Sequence, residues 1–119
     1  FGLDVIAIYK RSANILNSES KSKLEIVGSA DPGLFKNDYE KNLYKKIHAI
    51  RKYFSSIGRD EDYDESLKTL SSAKIEVNEF FDNVIVNDQE ELIKKNRLEL
   101  LKMLCKSFDN YFNFSKIEA

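Results

Sequence analysis

Turn-forming residues are scarce in this chain, with 4 glycines and 1 proline in 119 residues. A sandwich or barrel of short strands needs a turn every few residues, and Gly and Pro supply most of them, so an all-β fold is excluded. The single cysteine, Cys105, has no internal disulfide partner, which fits a reducing cytoplasm. No run of 18 apolar residues and no charged-then-apolar leader occurs, so neither a membrane span nor a signal peptide is expected. The chain starts at Phe1 and its one methionine is Met103, so it reads as a piece of a longer protein.

Catalytic constellations are equally scarce. The lone histidine, His48, has no second His or Cys nearby with which to build a metal site. The DEDYDE run at 60–65 lacks the spacing and the glycine of a calcium loop. Cys105 lies beside an apolar stripe with no adjacent base, so a buried thiol is expected rather than a nucleophile. No Gly-rich phosphate cradle is present. No catalytic residue and no metal site are expected in residues 1–119, which read as one domain.

What the chain does have is apolar periodicity and charge. Hydrophobic residues make up 42% and charged residues 33%. The net charge of −1 leans against a nucleic-acid binder, but the charges are segregated. Residues 36–59 carry seven Lys/Arg against two acids, residues 60–91 two Lys against eleven acids, and residues 92–119 six Lys/Arg against three acids. Solvated helix faces explain such segregation. A functional reading also exists, in which the basic faces meet a polyanion and the acidic segment turns away.

The periodicity predicts helices. Over residues 4–17, Val5, Tyr9, Ser12 and Leu16 share one face, while Lys10, Arg11 and Asn14 point the other way. Residues 18–30 read as a surface loop. Asp31-Pro32 marks a restart, with a second possible at Asn37 or Asp38. Leu43, Ile47, Ile50, Phe54 and Ile57 then recur at intervals of four and three, and Gly58 suits a C-terminal cap. After a charged junction at 60–64, helices are expected over 63–71 and 72–83, followed by a buried extended link, Val84-Ile85-Val86. Asp88 with Glu91 forms a capping box for a last helix to about Asn110, whose stripe is Ile93, Leu100, Leu101, Leu104, Phe108, Tyr111 and Phe112. The sum is an all-α, antiparallel bundle of about four to five helices.

Three polar features stand apart. Arg97 lies on the apolar sector of the last helix, four residues after Ile93 and four before Leu101. A buried arginine needs a partner, and Asp82 is the expected one, forming a structural ion pair. The alternative opens Arg97 onto a groove that meets phosphate or a base. Lys10, Arg11 and Asn14 combine cations with an amide at helical spacing, a set able to hold phosphates and read base edges. Asn83, Asn87 and Asn96 surround one helix–link–helix junction, where asparagine also commonly satisfies exposed backbone groups.

The stretches KRSANIL (10–16), FFDNVIVN (80–87), NRLELL (96–101) and FNFSKIEA (112–119), with DPGLF (31–35) and EKNLY (40–44), occur in order along the chain. Together they resemble the C-terminal part of bacterial-type glycyl-tRNA synthetase beta subunits. The resemblance implies the helical anticodon-binding fold named for a DALR motif. It also implies a cytoplasmic parent ligase of two alpha and two beta subunits, which joins glycine to its tRNA using ATP bound outside this chain. The domain itself would be non-catalytic and hold no cofactor, with tRNA as its partner rather than DNA or a membrane. By position, Lys10, Arg11, Asn14, Asn83 and Asn96 are the expected tRNA contacts, and Asp82 and Arg97 the expected structural pair. Two alternatives stand beside this reading. One is the equivalent domain of arginyl-tRNA synthetase. The other is a protein-interaction bundle, which predicts an exposed apolar patch and Lys10, Arg11 and Arg97 each paired to acids within the fold.

Overall fold

The computed structural model describes residues 2–19, 26–56, 63–86 and 89–109. They form five α-helices, α1 (Gly2–Glu19), α2 (Asp38–Ser56), α3 (Tyr63–Ser71), α4 (Lys74–Asn83) and α5 (Glu91–Asp109), with a 3-10 turn at Pro32–Leu34. The expected all-α bundle is therefore what is observed. The expected caps at Gly58 and Asp88, Asn87, the junction at 60–62, and Ile57, Tyr111 and Phe112 lie outside the described residues.

Both restarts before α2 are real and have separate jobs. The Asp31 carboxylate accepts the Gly33 N–H at 2.9 Å, which caps the 3-10 turn, and Phe35 ends it in an extended conformation. The chain then begins α2, where the Asn37 side chain accepts the Glu40 N–H at 3.0 Å. These side chains satisfy backbone donors that a helix start leaves without partners.

Side-chain pairs fix the helix directions. Asp4 meets Lys74 at 3.3 Å and Arg11 lies over Phe81, so α1 and α4 run parallel. Glu40 meets Arg97 and Arg51 donates to Ser107, so α2 and α5 run parallel. Lys46 meets Glu76 while Arg97, bound to Glu40, also reaches Ile85, so α4 opposes α2. The long helices α1, α2, α4 and α5 thus alternate in direction along the chain. Around the bundle α1 packs on α5, α5 on α2, α2 on α4 and α4 on α1, so α1 and α2 occupy opposite corners.

The core is drawn from all of them. Val5, Leu43, Ile47, Ile50, Leu70, Val77, Phe80, Leu98, Leu100, Leu101, Leu104 and Phe108 are buried. Each large side chain of this kind contributes about 1.5–3 kcal/mol by leaving water. Cys105 is buried and free of disulfides. Val84 and Val86 of the link are buried with the exposed Ile85 between them, which is the alternation of an extended segment.

One stretch departs from amphipathic rhythm. From Asn96 to Leu101 every residue of α5 is buried, including Asn96, Arg97 and Glu99. A helix buried on all sides needs a partner for each polar group it carries. Here the partners come from three different parts of the chain.

Candidate nucleic-acid interface

The buried polar residues of α5 form a clasp. Asn96 accepts the Asp31 N–H at 2.6 Å and donates to the Asp31 carbonyl at 3.0 Å, so both ends of its amide are engaged. Glu99 Oε1 accepts the N–H groups of Val27, Gly28 and Ser29 at 2.9, 2.6 and 3.4 Å. Three successive amides converging on one carboxylate form an anion-binding nest. Gly28 makes the nest possible, because its φ of 90° is a conformation that other residues rarely adopt. Lys106 closes the same loop by donating to the Val27 carbonyl at 2.8 Å.

Arg97 is buried and paired, but its acid is Glu40 and not Asp82. Nη2 lies 3.2 Å from Glu40 Oε1, with side-chain exposures of 7% and 0%, and Nη1 donates to the Ile85 carbonyl at 2.7 Å. Asp82 is exposed on α4. Phe80 takes the core-facing position of that helix turn, which leaves Asp82 on the solvent side. The sequence did carry a signal for Glu40. It stands three residues before Leu43 and seven before Ile47, on the apolar stripe of α2. A carboxylate on such a stripe calls for a buried cation.

Asn96 is likewise a structural residue. Its oxygen and its nitrogen each bond the Asp31 backbone, and the side chain is buried. The NRLELL stretch thus ties residues 27–31, the start of α2 and the link after α4 to one helix.

The other expected contacts are at the surface. Lys10, Arg11 and Asn14 are all exposed on α1. Among the described residues neither Lys10 nor Arg11 is in an ion pair. The Arg11 guanidinium lies 4.3 Å from the centroid of the Phe81 ring, a cation–π contact. Phe81, which composition does not distinguish from the other phenylalanines, is half-buried and packs edge-on against Phe80 at 5.6 Å. Asn83, two residues farther along α4, is exposed and donates to the Glu79 carbonyl at 2.9 Å, which leaves its side-chain oxygen open. The second half of α1 and the end of α4 thus present two cations, two amides and an aromatic–guanidinium stack. Arg planes and aromatic rings on which splayed bases stack are the usual means of holding single-stranded RNA loops.

Comparison with known families decides what kind of bundle this is. The family described as "DALR anticodon binding domain" matches residues 5–119.

The chain belongs to that family.

Among curated proteins it is similar to the glycine–tRNA ligase beta subunits of Rickettsia typhi (strain ATCC VR-144 / Wilmington) and Rickettsia prowazekii (strain Madrid E). Each is 36% identical over 116 residues, covering 98% of this chain and 17% of the relative. The corresponding subunit of Rickettsia bellii (strain OSU 85-389) is 35% identical over the same length. This DALR domain thus spans about one sixth of the length of the relatives it matches. Among the described residues no group of His, Cys, Asp and Glu is placed to hold a metal ion. No helix among them is long and apolar enough to cross a membrane.

Proposed function

We propose that this domain binds the anticodon region of a glycine tRNA as part of a glycine–tRNA ligase beta subunit. In this reading the parent enzyme is a cytoplasmic assembly of two alpha and two beta subunits that charges tRNA using ATP bound outside this domain. The domain contributes RNA contacts and no chemistry.

The observation that carries the proposal is the exposed set Lys10, Arg11, Asn14 and Asn83 around the Arg11–Phe81 stack, on a chain whose family is defined by anticodon binding. A protein-interaction bundle predicted that Lys10 and Arg11 would be neutralised within the fold. Arg97 is neutralised and, among the described residues, those two are not, which favours RNA. The relatives' names favour glycine over arginine as the amino acid.

The mechanism follows from the geometry. The clasp on Arg97 holds the link 84–86 through the Ile85 carbonyl, and so fixes the end of α4 that carries Phe81 and Asn83. Phe81 in turn holds the Arg11 guanidinium at a fixed tilt. A base stacking on the outer face of the Arg11 guanidinium meets a plane arranged before binding, which lowers the ordering cost. Lys10 supplies a phosphate contact and Asn14 an amide.

The test is tRNA affinity of the parent enzyme carrying Lys10→Ala or Arg11→Ala. Lys10→Ala is expected to weaken binding and to reduce the salt slope by about 0.7–0.9, the share of one phosphate contact. Arg11→Ala is expected to weaken binding to the matching anticodon more than to a changed one. An unaltered salt slope for Lys10→Ala, with affinity for both tRNAs unchanged by Arg11→Ala, would remove α1 from the interface.

A further inference from the structure

The outward ridge of α2 is a strongly charged surface that the reading above leaves unused. Lys41, Lys45, His48 and Lys52 are all exposed. Their offsets of 4, 7 and 11 residues fall within about 60° on a helix of 3.6 residues per turn, so the four side chains form one line. At 1.5 Å per residue that line is about 16 Å long. The helix carries two acids, and the structure removes one of them from the surface: Glu40 is buried against Arg97, leaving Asp38 as the exposed one. The ridge is therefore more basic than the sequence count implies.

Its surroundings give it a direction. On the α4 side Lys45 and Lys46 share a groove with Glu76 and Glu79, and Lys46 pairs with Glu76 at 3.8 Å, so that flank is balanced in charge. On the other flank Phe35, Tyr44 and His48 form an edge-to-face ladder with centroids 5.3 and 4.4 Å apart. The His48 ring is thus exposed yet braced. A line of cations beside a braced ring is the arrangement by which proteins track a nucleic-acid strand, the cations on phosphates and the ring under a base.

We propose that this ridge is a second RNA contact, which grips sugar–phosphate backbone without reading the anticodon. The proposal rests on the RNA-binding reading of the domain. Because α1 and α2 stand at opposite corners of the bundle, the ridge meets a different stretch of RNA from the Arg11–Phe81 face. A lipid surface fits less well, since the apolar face that a membrane-bound helix inserts is here turned into the core.

The test uses the full-length parent enzyme with Lys41, Lys45 and Lys52 all changed to Gln, which keeps helical propensity. Affinity is measured between 50 and 200 mM salt for glycine tRNA and for an anticodon-changed transcript. Loss of three phosphate contacts lowers the salt slope by about 2–3, so over this range the unaltered enzyme loses roughly 20–40-fold more affinity than the variant. The reduction is expected to be equal on both tRNAs, and the matching Lys→Arg triple is expected to keep the original slope. An unchanged slope overturns the proposal, as does a loss confined to the matching anticodon. It is also overturned if the Gln variant keeps tRNA affinity but loses binding to phosphatidylcholine–phosphatidylserine vesicles. If the unaltered enzyme binds both tRNAs equally, anticodon reading fails, while a lowered slope in the Gln variant still supports the ridge.

Discussion

Removing Arg97 is the sharpest test of the clasp. Its Nη2 lies 3.2 Å from a carboxylate with no solvent exposure, and its Nη1 holds the Ile85 carbonyl. Two unit charges at this distance attract by about 5 kcal/mol at an effective dielectric of about 20, and the cost of desolvating both offsets much of that. Deleting one partner removes the attraction and keeps the other's desolvation. Arg97→Ala leaves the Glu40 carboxylate buried with the Lys36 N–H as its remaining described donor, at 3.1 Å. The expected loss is about 3–5 kcal/mol. That is a large fraction of the roughly 5–15 kcal/mol that stabilises a domain, and it corresponds to a Tm lower by about 10–20 °C. The assay is urea unfolding followed by far-UV circular dichroism at low and high salt. A buried pair is poorly screened, so the loss should be nearly the same at both. The double variant Arg97→Met, Glu40→Leu should recover most of it, because no charge is left buried without its partner. A loss under about 1 kcal/mol for Arg97→Ala, or a double variant as unstable as the two single variants summed, refutes the reasoning.

Three further outcomes follow from the same contacts. Asp82→Ala should change stability by less than about 0.5 kcal/mol, since the residue is exposed and has no part in the clasp, and thermal unfolding reads this directly. Asn96→Ala should cost about 1–3 kcal/mol in urea unfolding by removing both bonds that the buried amide makes to the Asp31 backbone, with tRNA affinity changed equally for every anticodon. Gly28→Ala should cost about 1–2 kcal/mol through its left-handed backbone alone, and the new methyl would also lie 3.1 Å from Lys106 Cδ. Faster amide exchange at Val27 and Ser29 is the readout for that variant.

The helices were legible in the sequence because their signals are local. Leu43, Ile47, Ile50 and Phe54 keep a strict rhythm, and the observed α2 follows it. The expected link is buried at Val84 and Val86 but not at Ile85, which is exposed between them, and Val84 is extended. The outward side of α1 was equally plain, since wheel positions alone place Lys10, Arg11 and Asn14 in solvent. What failed was pairing across the fold. That Arg97 needed a buried acid was visible, because it interrupted an apolar stripe. Which acid was not visible, because Asp82 and Glu40 are both within reach in sequence terms and only the packing of α2 against α5 separates them. The structural role of Asn96 was hidden for a related reason. Its partner is the backbone of Asp31, 65 residues away, and a backbone leaves no trace in composition. The NRLELL stretch thus carried the family likeness while serving the fold. The set proposed to face RNA lies instead on α1 and α4, where Phe81 packs against the Arg11 guanidinium.

Charging kinetics decide whether this domain reads the anticodon for a glycine-charging enzyme. The most direct measurement is kcat/KM for charging by the parent enzyme, with and without residues 1–119, on glycine tRNA and on a transcript differing only in the anticodon. Removal of the domain should lower kcat/KM for the true tRNA and bring it to the value for the altered one. Equal loss on both tRNAs, with the original preference intact, would contradict the claim.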